Sequence, residues 1–129
     1  MKLATLPDGT QDGRLHVVSR DLTRCAPAKA AQTLQALMED WDTLSPLLIA
    51  EYDALNEGGG QSFDPAQALA PLPRAWQWLD GSAFDSHGAL MQKVFNLAPV
   101  DTGGKPLMYQ GLSHQFLAPR ADVPFPSEA

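Results

Sequence analysis

The sequence predicts an α+β fold that begins with a β-hairpin, continues with a helical pair or one kinked helix, and ends with short strands and one further helix. Three observations support this fold class. Two short apolar segments, 2–6 and 13–19, flank a polar turn. Apolar residues then recur at helical spacing between about positions 34 and 55. Finally, eleven prolines and ten glycines divide the remaining chain into short elements.

The hairpin prediction depends on Pro7-Asp8-Gly9-Thr10, a turn signal in which Gly9 can take a positive φ. In the second strand, Leu15 and Val17 share one face, because side chains alternate along a strand. His16 lies on the opposite face. We expect an exposed strand residue there rather than a metal ligand, since no Cys, Asp or His partner stands at ligand spacing. Residues 20–26 are predicted to form a polar connection.

Pro27 is predicted to open a helix, because its missing N–H would lack a partner in a first turn anyway. Ser45 and Pro46 suggest a second N-terminus, and therefore two helices or one kinked near Pro46. Trp41 and Tyr52 are expected in the core. The full apolar stripe is Leu34, Leu37, Met38, Trp41, Leu47, Leu48, Tyr52 and Leu55.

The second half starts after Gly58-Gly59-Gly60, which ends the helical region, and the stiff Pro71-Leu72-Pro73. A strand is predicted over 74–79, with Trp76 and Trp78 on one face and most simply in the core. A helix follows over 86–96, then a loop over 98–105, a short strand or turn over 107–111, and an extended tail over 119–129. Leu90, Met91 and Val94 are expected to pack inward from that helix.

Composition excludes several classes of function. The net charge of −6 argues against nucleic acid, whose phosphates are bound by Lys and Arg. No apolar run approaches the roughly 20 residues that span a bilayer, and no signal peptide is visible, so we expect no membrane association. Cys25 is the only cysteine, which fits a reducing cytoplasm. It is interpreted as a buried or loop residue, with a reactive thiol beside Arg24 as the alternative.

Asp80 and His87 form the candidate catalytic site, seven positions apart across a Gly-Ser break. A carboxylate at the end of a strand and an imidazole at the start of a helix could face one cavity and support metal-assisted attack by water. Spacing alone leaves the alternative open. Asp80 would then be a turn residue and His87 a solvated residue at a helix start, because one Asp and one His at a single spacing often coincide by chance.

Six blocks of sequence, in order along the chain, form a pattern found in one known family: Met1-Lys2-Leu3-Ala4-Thr5-Leu6, Asp12-Gly13-Arg14-Leu15, Val18-Ser19-Arg20-Asp21-Leu22, Pro71-Leu72-Pro73-Arg74-Ala75, Asp80-Gly81-Ser82-Ala83-Phe84 and Pro106-Leu107-Met108-Tyr109-Gln110-Gly111. The chain resembles the fumarylacetoacetate hydrolase family, in its bacterial branch with a short N-terminal domain. The resemblance implies that 1–73 are this N-terminal domain and that 74–129 begin the catalytic region.

The resemblance also implies chemistry. Members of the family are metal-dependent enzymes that act on 1,3-dicarbonyl or 2-oxo-acid substrates, and the founding reaction, in aromatic amino acid catabolism, hydrolyses a C–C bond. Asp80 resembles the first ligand of the Mg²⁺ or Ca²⁺ ion, His87 the general base, and Tyr109 the tyrosine that contacts the substrate carboxylate. Asn96 departs from the pattern, because the classical hydrolases have an Arg there. A cytoplasmic homo-oligomer such as a dimer is also implied.

The remaining ligands of the family are a Glu-x-Glu pair and a later Asp. After His87 this sequence has only Asp101, Asp122 and Glu128 as acids, and they form no such pair. We therefore expect this chain alone to bind no catalytic metal and to be inactive without a C-terminal catalytic domain. A stand-alone binding or oligomerisation module is the alternative. A metal-independent enzyme that uses His87 or Cys25 has little support, since no nucleophile–base–acid set is visible.

Overall fold

The computed structural model describes residues 1–127, which divide into two compact units. The first unit consists of Met1–Ala75 together with the chain from His114 onward, and the second unit is Trp76–Ser113. Helices and strands occur in both units, as the α+β prediction requires.

The first unit is built on a four-stranded antiparallel sheet in which the strands follow their chain order. The predicted hairpin is confirmed, because β1 and β2 are antiparallel and Leu6 stands opposite Arg14 next to the turn. In that turn, the Asp8 carboxylate accepts hydrogen bonds from the backbone N–H and the hydroxyl of Thr10, and Gly9 has φ +88°. The strands are β1 (Lys2–Leu6), β2 (Arg14–Val18), β3 (Arg24–Pro27) and β4 (Gln61–Ser62).

The polar connection predicted over 20–26 is wrong in its second half, where Arg24–Pro27 forms β3. The reversal is tighter than the composition suggested, because one carboxylate organises it. Asp21 accepts hydrogen bonds from the hydroxyls of Ser19 and Thr23 and from the Thr23 backbone N–H. These bonds lower the pKa of Asp21 from its ordinary value near 3.8 to about 2, that of Ser19 contributing most. The chain therefore turns within five residues and pairs with β2 again.

Two helices follow, α1 (Leu34–Glu39) and α2 (Trp41–Glu57). The prediction of a helical pair is confirmed, but the predicted boundaries are wrong. The first helix begins at Leu34 rather than at Pro27, and the hydroxyl of its N-cap residue Thr33 accepts a hydrogen bond from the Ala36 backbone N–H. The break falls at Asp40, whereas Pro46 lies inside α2. A proline there removes a single helical hydrogen bond, and burial of side chains farther along α2 stabilises the helix despite that loss.

The core of the first unit lies between the sheet and these helices. The predicted pairing of Leu15 and Val17 on one face is confirmed, since both are buried in one cluster with residues of α1 and α2. The helical stripe is correct only in part. Trp41 is 45% exposed, because the break at Asp40 starts a new helix with a different phase. Met38 and Leu47 are also exposed, whereas the buried cluster comprises Leu15, Val17, Ala28, Ala31, Leu37, Leu48 and Leu55.

His16 is buried, so the expectation of an exposed strand residue is wrong. Its strand, β2, is an interior strand with β1 on one side and β3 on the other, and His16 stands in register with Ala4 and Pro27. The ring Nδ1 lies 3.0 Å from the Arg14 carbonyl oxygen. Cys25 in β3 is fully buried, which favours the structural interpretation of that thiol over the reactive one.

The second unit contains a two-stranded antiparallel sheet, β5 (Leu79–Ser82) and β6 (Leu107–Gln110), with α3 (Asp85–Phe95) between them in the chain. The helix and the last strand were predicted to within a residue. The strand predicted over 74–79 is wrong, because pairing starts only at Leu79 and leaves Trp76 and Trp78 before it. Both tryptophans are exposed rather than in the core, the former by 85%.

The inward packing predicted for Leu90, Met91 and Val94 is also wrong, since all three are exposed. No residue between Trp76 and Ser113 is buried. A two-stranded sheet and one helix supply too few layers to enclose a core. Residues 122–127 belong to no helix or strand, in line with the extended tail predicted over 119–129, whose last two residues lie outside the described part.

Candidate functional site

Asp80 and Tyr109, two of the three predicted site residues, stand directly opposite each other in the sheet of the second unit. Asp80 is the second residue of β5, and Tyr109 is the third of β6. Directly opposite residues of an antiparallel pair project from the same face, with Cβ atoms about 4.5–5.5 Å apart. The sheet register therefore places a carboxylate beside a phenol, although the two are 29 positions apart in the sequence.

The Gly-Ser break expected after Asp80 is wrong, because Gly81 and Ser82 both belong to β5. Gly81 stands opposite Met108, and a Cβ added to it would lie 3.3 Å from the Met108 sulfur. The strand therefore continues past the candidate ligand, and the chain leaves the sheet only after Ser82. The position of Asp80 is therefore set by the pairing of β5 with β6 and not by a turn.

His87 lies in the first turn of α3, as the sequence predicted. Its backbone N–H donates a hydrogen bond to the Phe84 carbonyl oxygen over 3.1 Å, which fixes the start of the helix. The side chains of Asp80, His87 and Tyr109 are all exposed. Exposure leaves these groups accessible to a ligand, and it also leaves them accessible to water.

Asn96 ends α3, and its conformation gives a local reason for the departure from the family pattern. The residue adopts a left-handed conformation with φ +50°, and its backbone N–H caps the helix through the Gln92 carbonyl oxygen. Asparagine tolerates this region better than most residues do. The position is therefore used here to terminate a helix, and an arginine would fit this backbone less well.

A complete divalent-cation site does not form from the residues that the structure describes. Among residues 1–127, no three His, Cys, Asp or Glu side chains are grouped so that they could hold a metal ion. Mg²⁺ and Ca²⁺ take about six oxygen ligands, and Asp80 supplies one carboxylate. These residues therefore do not fit a resident metal by themselves.

A separate cluster at the end of the first unit ties the proline-rich segment to the hairpin. The Arg74 guanidinium donates Nε–H to Asp12 Oδ1 over 2.7 Å and Nη2–H to Asp12 Oδ2 over 2.9 Å, and its Nη1 donates to Gln11. The hydrogen bond from Arg74 lowers the pKa of Asp12, and the same bond raises the pKa of Arg74. Sequence reasoning missed this pair, because 62 residues separate its members.

The N-terminal region also matches a known family model. The model for fumarylacetoacetase N-terminal domain 2 matches residues 1–74, which is more than half of the chain. The chain belongs to the fumarylacetoacetase N-terminal domain 2 family. No curated protein matches it.

The fumarylacetoacetase N-terminal domain 2 match ends at Arg74, the residue that the hairpin holds through Asp12. It covers the sheet, both helices and the core of the first unit. Asp80, His87 and Tyr109 lie beyond it, so their assignment depends on the motifs in which they stand. None of the helices within residues 1–127 is long and apolar enough to cross a membrane.

Proposed function

We propose that this chain is the N-terminal portion of a fumarylacetoacetate hydrolase-like, metal-dependent enzyme that cleaves a C–C bond in acylpyruvate or related 1,3-dicarbonyl substrates. The observation that carries the proposal is the family match over 1–74, followed by a unit in which Asp80 and Tyr109 share one face of a sheet. In this proposal residues 1–73 are an accessory domain, and residues 74–129 are the first part of the catalytic region.

Each candidate residue has one role in the proposal. The Asp80 carboxylate is an oxygen ligand of the kind that Mg²⁺ and Ca²⁺ prefer. The Tyr109 hydroxyl donates a hydrogen bond to the carboxylate of a 2-oxo-acid substrate, and this contact orients the substrate relative to Asp80. The imidazole of His87, in its neutral form, accepts a proton from the attacking water.

The proposed enzyme needs ligands that the described residues do not supply. A C-terminal catalytic domain would provide the other carboxylates and cover the exposed face that bears Asp80. We therefore expect the chain alone to show no C–C hydrolase activity and no tight binding of Mg²⁺ or Ca²⁺. Its single buried cysteine favours a cytoplasmic location, and the resemblance implies a homo-oligomer such as a dimer.

Coexpression with a C-terminal catalytic domain of the same family tests the proposal. We expect acylpyruvate cleavage only when both polypeptides are present. His87→Gln in that complex should lower kcat by about 10²–10⁴-fold, because a general base is lost. Tyr109→Phe should mainly raise KM, since it removes a substrate contact. Lys93→Gln, on α3, is the matched control and should leave both constants unchanged.

Two results would contradict the proposal. Full activity in the His87→Gln complex would remove the assigned base. Micromolar Mg²⁺ or Ca²⁺ binding by the chain alone, abolished by Asp80→Asn, would overturn the expectation that the cation site needs other ligands.

The second candidate function is a non-catalytic binding or oligomerisation module. The exposed apolar side chains of the second unit favour it, because surfaces of this kind mark sites of association. The most exposed of these are Trp76, Phe84, Leu112, Val94 and Val100. Sedimentation of the chain alone and with the catalytic domain separates the two functions. Self-association that persists in the presence of the domain favours the module, whereas its replacement by a defined complex favours the enzyme.

A further inference from the structure

An apolar pocket of about 210 Å³ lies at the outer edge of β1 in the first unit. Four successive residues of β1 contribute to it, together with side chains from the loop after β2, from α1 and from the segment that follows β4. All of the residues that line it belong to the first unit, and none takes part in the proposed reaction. Its lining includes Leu3, Leu22, Leu34, Phe63, Leu69 and Pro119.

The carbonyl and the hydroxyl of Thr5, on β1 next to the pocket, are already paired. The Leu69 backbone N–H donates to the Thr5 carbonyl oxygen over 2.9 Å, and the Thr5 hydroxyl donates to the Pro71 carbonyl oxygen over 2.6 Å. These bonds hold the segment before Pro71 against the edge strand. A polar group placed deep in the pocket would therefore lack partners, so the interior suits an apolar body.

Leu22 contributes to the wall from a strained conformation. Its φ is +63°, in the left-handed region that is uncommon for residues other than glycine, asparagine and aspartate. The backbone N–H of Leu22 donates to the Ser19 carbonyl oxygen, and the hydrogen bonds of Asp21 hold the rest of the loop. A surrounding network that holds a strained residue in place is typical of ligand-binding loops. The hydrogen-bonded loop thus presents a large apolar side chain to the pocket.

All of the residues that line the pocket lie within residues 1–127. Lys2 is the one charged residue among them. Its ammonium donates a hydrogen bond to the Arg20 carbonyl oxygen over 2.7 Å, which restrains the head of an otherwise flexible side chain. An ammonium has three donors, so two remain for an anion. The pocket thus combines an apolar lining with one lysine, whose ammonium is restrained by the Arg20 carbonyl oxygen.

We propose that this pocket binds a small monocarboxylic acid, with its apolar body among the leucines and its carboxylate paired with Lys2. The volume sets the size of that body. An apolar cavity of about 150 Å³ holds a benzene molecule, so this pocket accommodates one ring with a short side chain, or an alkyl chain of similar bulk. The inference does not depend on the reaction proposed for the second unit.

Titration of the ¹⁵N-labelled full chain with octanoate, octanol and octylamine, followed by NMR, tests the proposal. Octanoate should shift the amide signals of Leu3, Leu22 and Leu69, and it should bind more tightly than octylamine. Lys2→Gln should weaken octanoate binding about two- to fivefold, the range of an exposed ion pair, and leave octanol binding unchanged. Ala68→Leu, which fills the pocket, should weaken both. Lys93→Gln is the charge-matched control and should change neither.

Three outcomes would overturn the inference. Equal binding of octanoate and octylamine would exclude recognition of a carboxylate. Shifts confined to the second unit would show that the ligand prefers the exposed apolar side chains there. Shifts of the β1 amides that depend on protein concentration, without ligand, would show that a second copy of the chain occupies this edge.

Discussion

The two units of this chain have similar kinds of local pattern and opposite degrees of burial. In the first unit, Leu37 and Leu48 of the helices are fully buried against the four-stranded sheet. In the second, Leu90 and Val94 of α3 are 57% and 65% exposed. Amphipathic periodicity can therefore specify a helix without specifying what covers it. A core needs a second layer, and the second unit has only two strands and one helix.

The largest expected difference between the units concerns a buried and an exposed leucine. Leu37→Ala should lower the free energy of unfolding of the first unit by about 2–5 kcal/mol, because it leaves a cavity in the core. Leu90→Ala, the matched control, should change stability by less than about 0.5 kcal/mol. Urea titrations followed by the NMR signals of Leu15 and Val17 measure both. A loss for Leu37→Ala no larger than the roughly 0.5 kcal/mol typical of surface positions would contradict the assigned core.

Glycine-to-alanine substitutions should change stability in opposite directions in the two units. Gly60 has φ +81°, and an added Cβ would lie 2.6 Å from a Leu55 methyl and 2.8 Å from the Cys25 carbonyl oxygen. Gly60→Ala should therefore destabilise the first unit by more than about 1 kcal/mol. Gly88 lies in α3 with open space around it, so Gly88→Ala should stabilise that helix by roughly 0.5–1 kcal/mol.

Amide hydrogen exchange in β3 and in α3 reports these two effects separately. Gly59→Ala is the control, because Gly59 has a similar φ of +83° but open space around it. The difference in stability loss between Gly60→Ala and Gly59→Ala measures the steric clash, because both variants share the backbone strain. Equal losses of stability in the two variants would show that only the positive φ makes the substitution at Gly60 costly.

A smaller effect is expected at the junction before the second unit. Arg74→Met should lower the stability of the first unit only slightly, because the ion pair with Asp12 is partly exposed and screened by solvent. The pKa of Asp12 should rise back toward its ordinary value, which an NMR pH titration of its carboxyl group measures. Arg74→Lys should recover only part of the effect, since an ammonium cannot reproduce the bidentate geometry. An unchanged Asp12 pKa in Arg74→Met would refute the pair.

The smallest effect concerns the pH dependence of the first unit. The pKa of Asp21 is about 2 in the folded chain, against an ordinary value near 3.8. The folded state thus holds this proton less tightly than the unfolded state, so the contribution is present above about pH 4 and is lost as the pH falls toward about 2. Asp21→Asn should lower the urea midpoint at neutral pH and flatten its decline over that interval. Thr23→Val removes one hydrogen-bond donor to Asp21 and should give an intermediate decline of the urea midpoint with falling pH. An unaltered decline in both variants would exclude Asp21 as the source of this pH dependence.

Local signals accounted for the hairpin, for the existence of two helices and for α3. Those elements follow from alternation, helical spacing and turn residues that act within a few positions. The errors at His16, Trp41 and Trp76 are all errors of burial. His16 lies on a strand that is interior only because β3 pairs with it, and β3 follows a turn organised by the Asp21 carboxylate that composition did not reveal. Burial depends on distant partners, and a local pattern does not contain them.

The same distinction holds for the candidate site. The sequence predicted Asp80 and His87 as a pair and Tyr109 separately, and it predicted the helix start at His87 correctly. The register of β5 and β6 is what puts Asp80 opposite Tyr109, and no local spacing contains that relation. The role of each residue stays a prediction, which the coexpression experiment tests.

By itself the sequence determined the chain's family, its α+β class and the local elements, because turn propensity, periodicity and short motifs are properties of neighbouring residues. Only the tertiary structure decided which apolar faces are covered, that Asp12 pairs with Arg74, and that β1 borders an apolar pocket with one lysine in its lining. Those features arise from residues that lie far apart in the sequence, and chain folding alone brings them into contact.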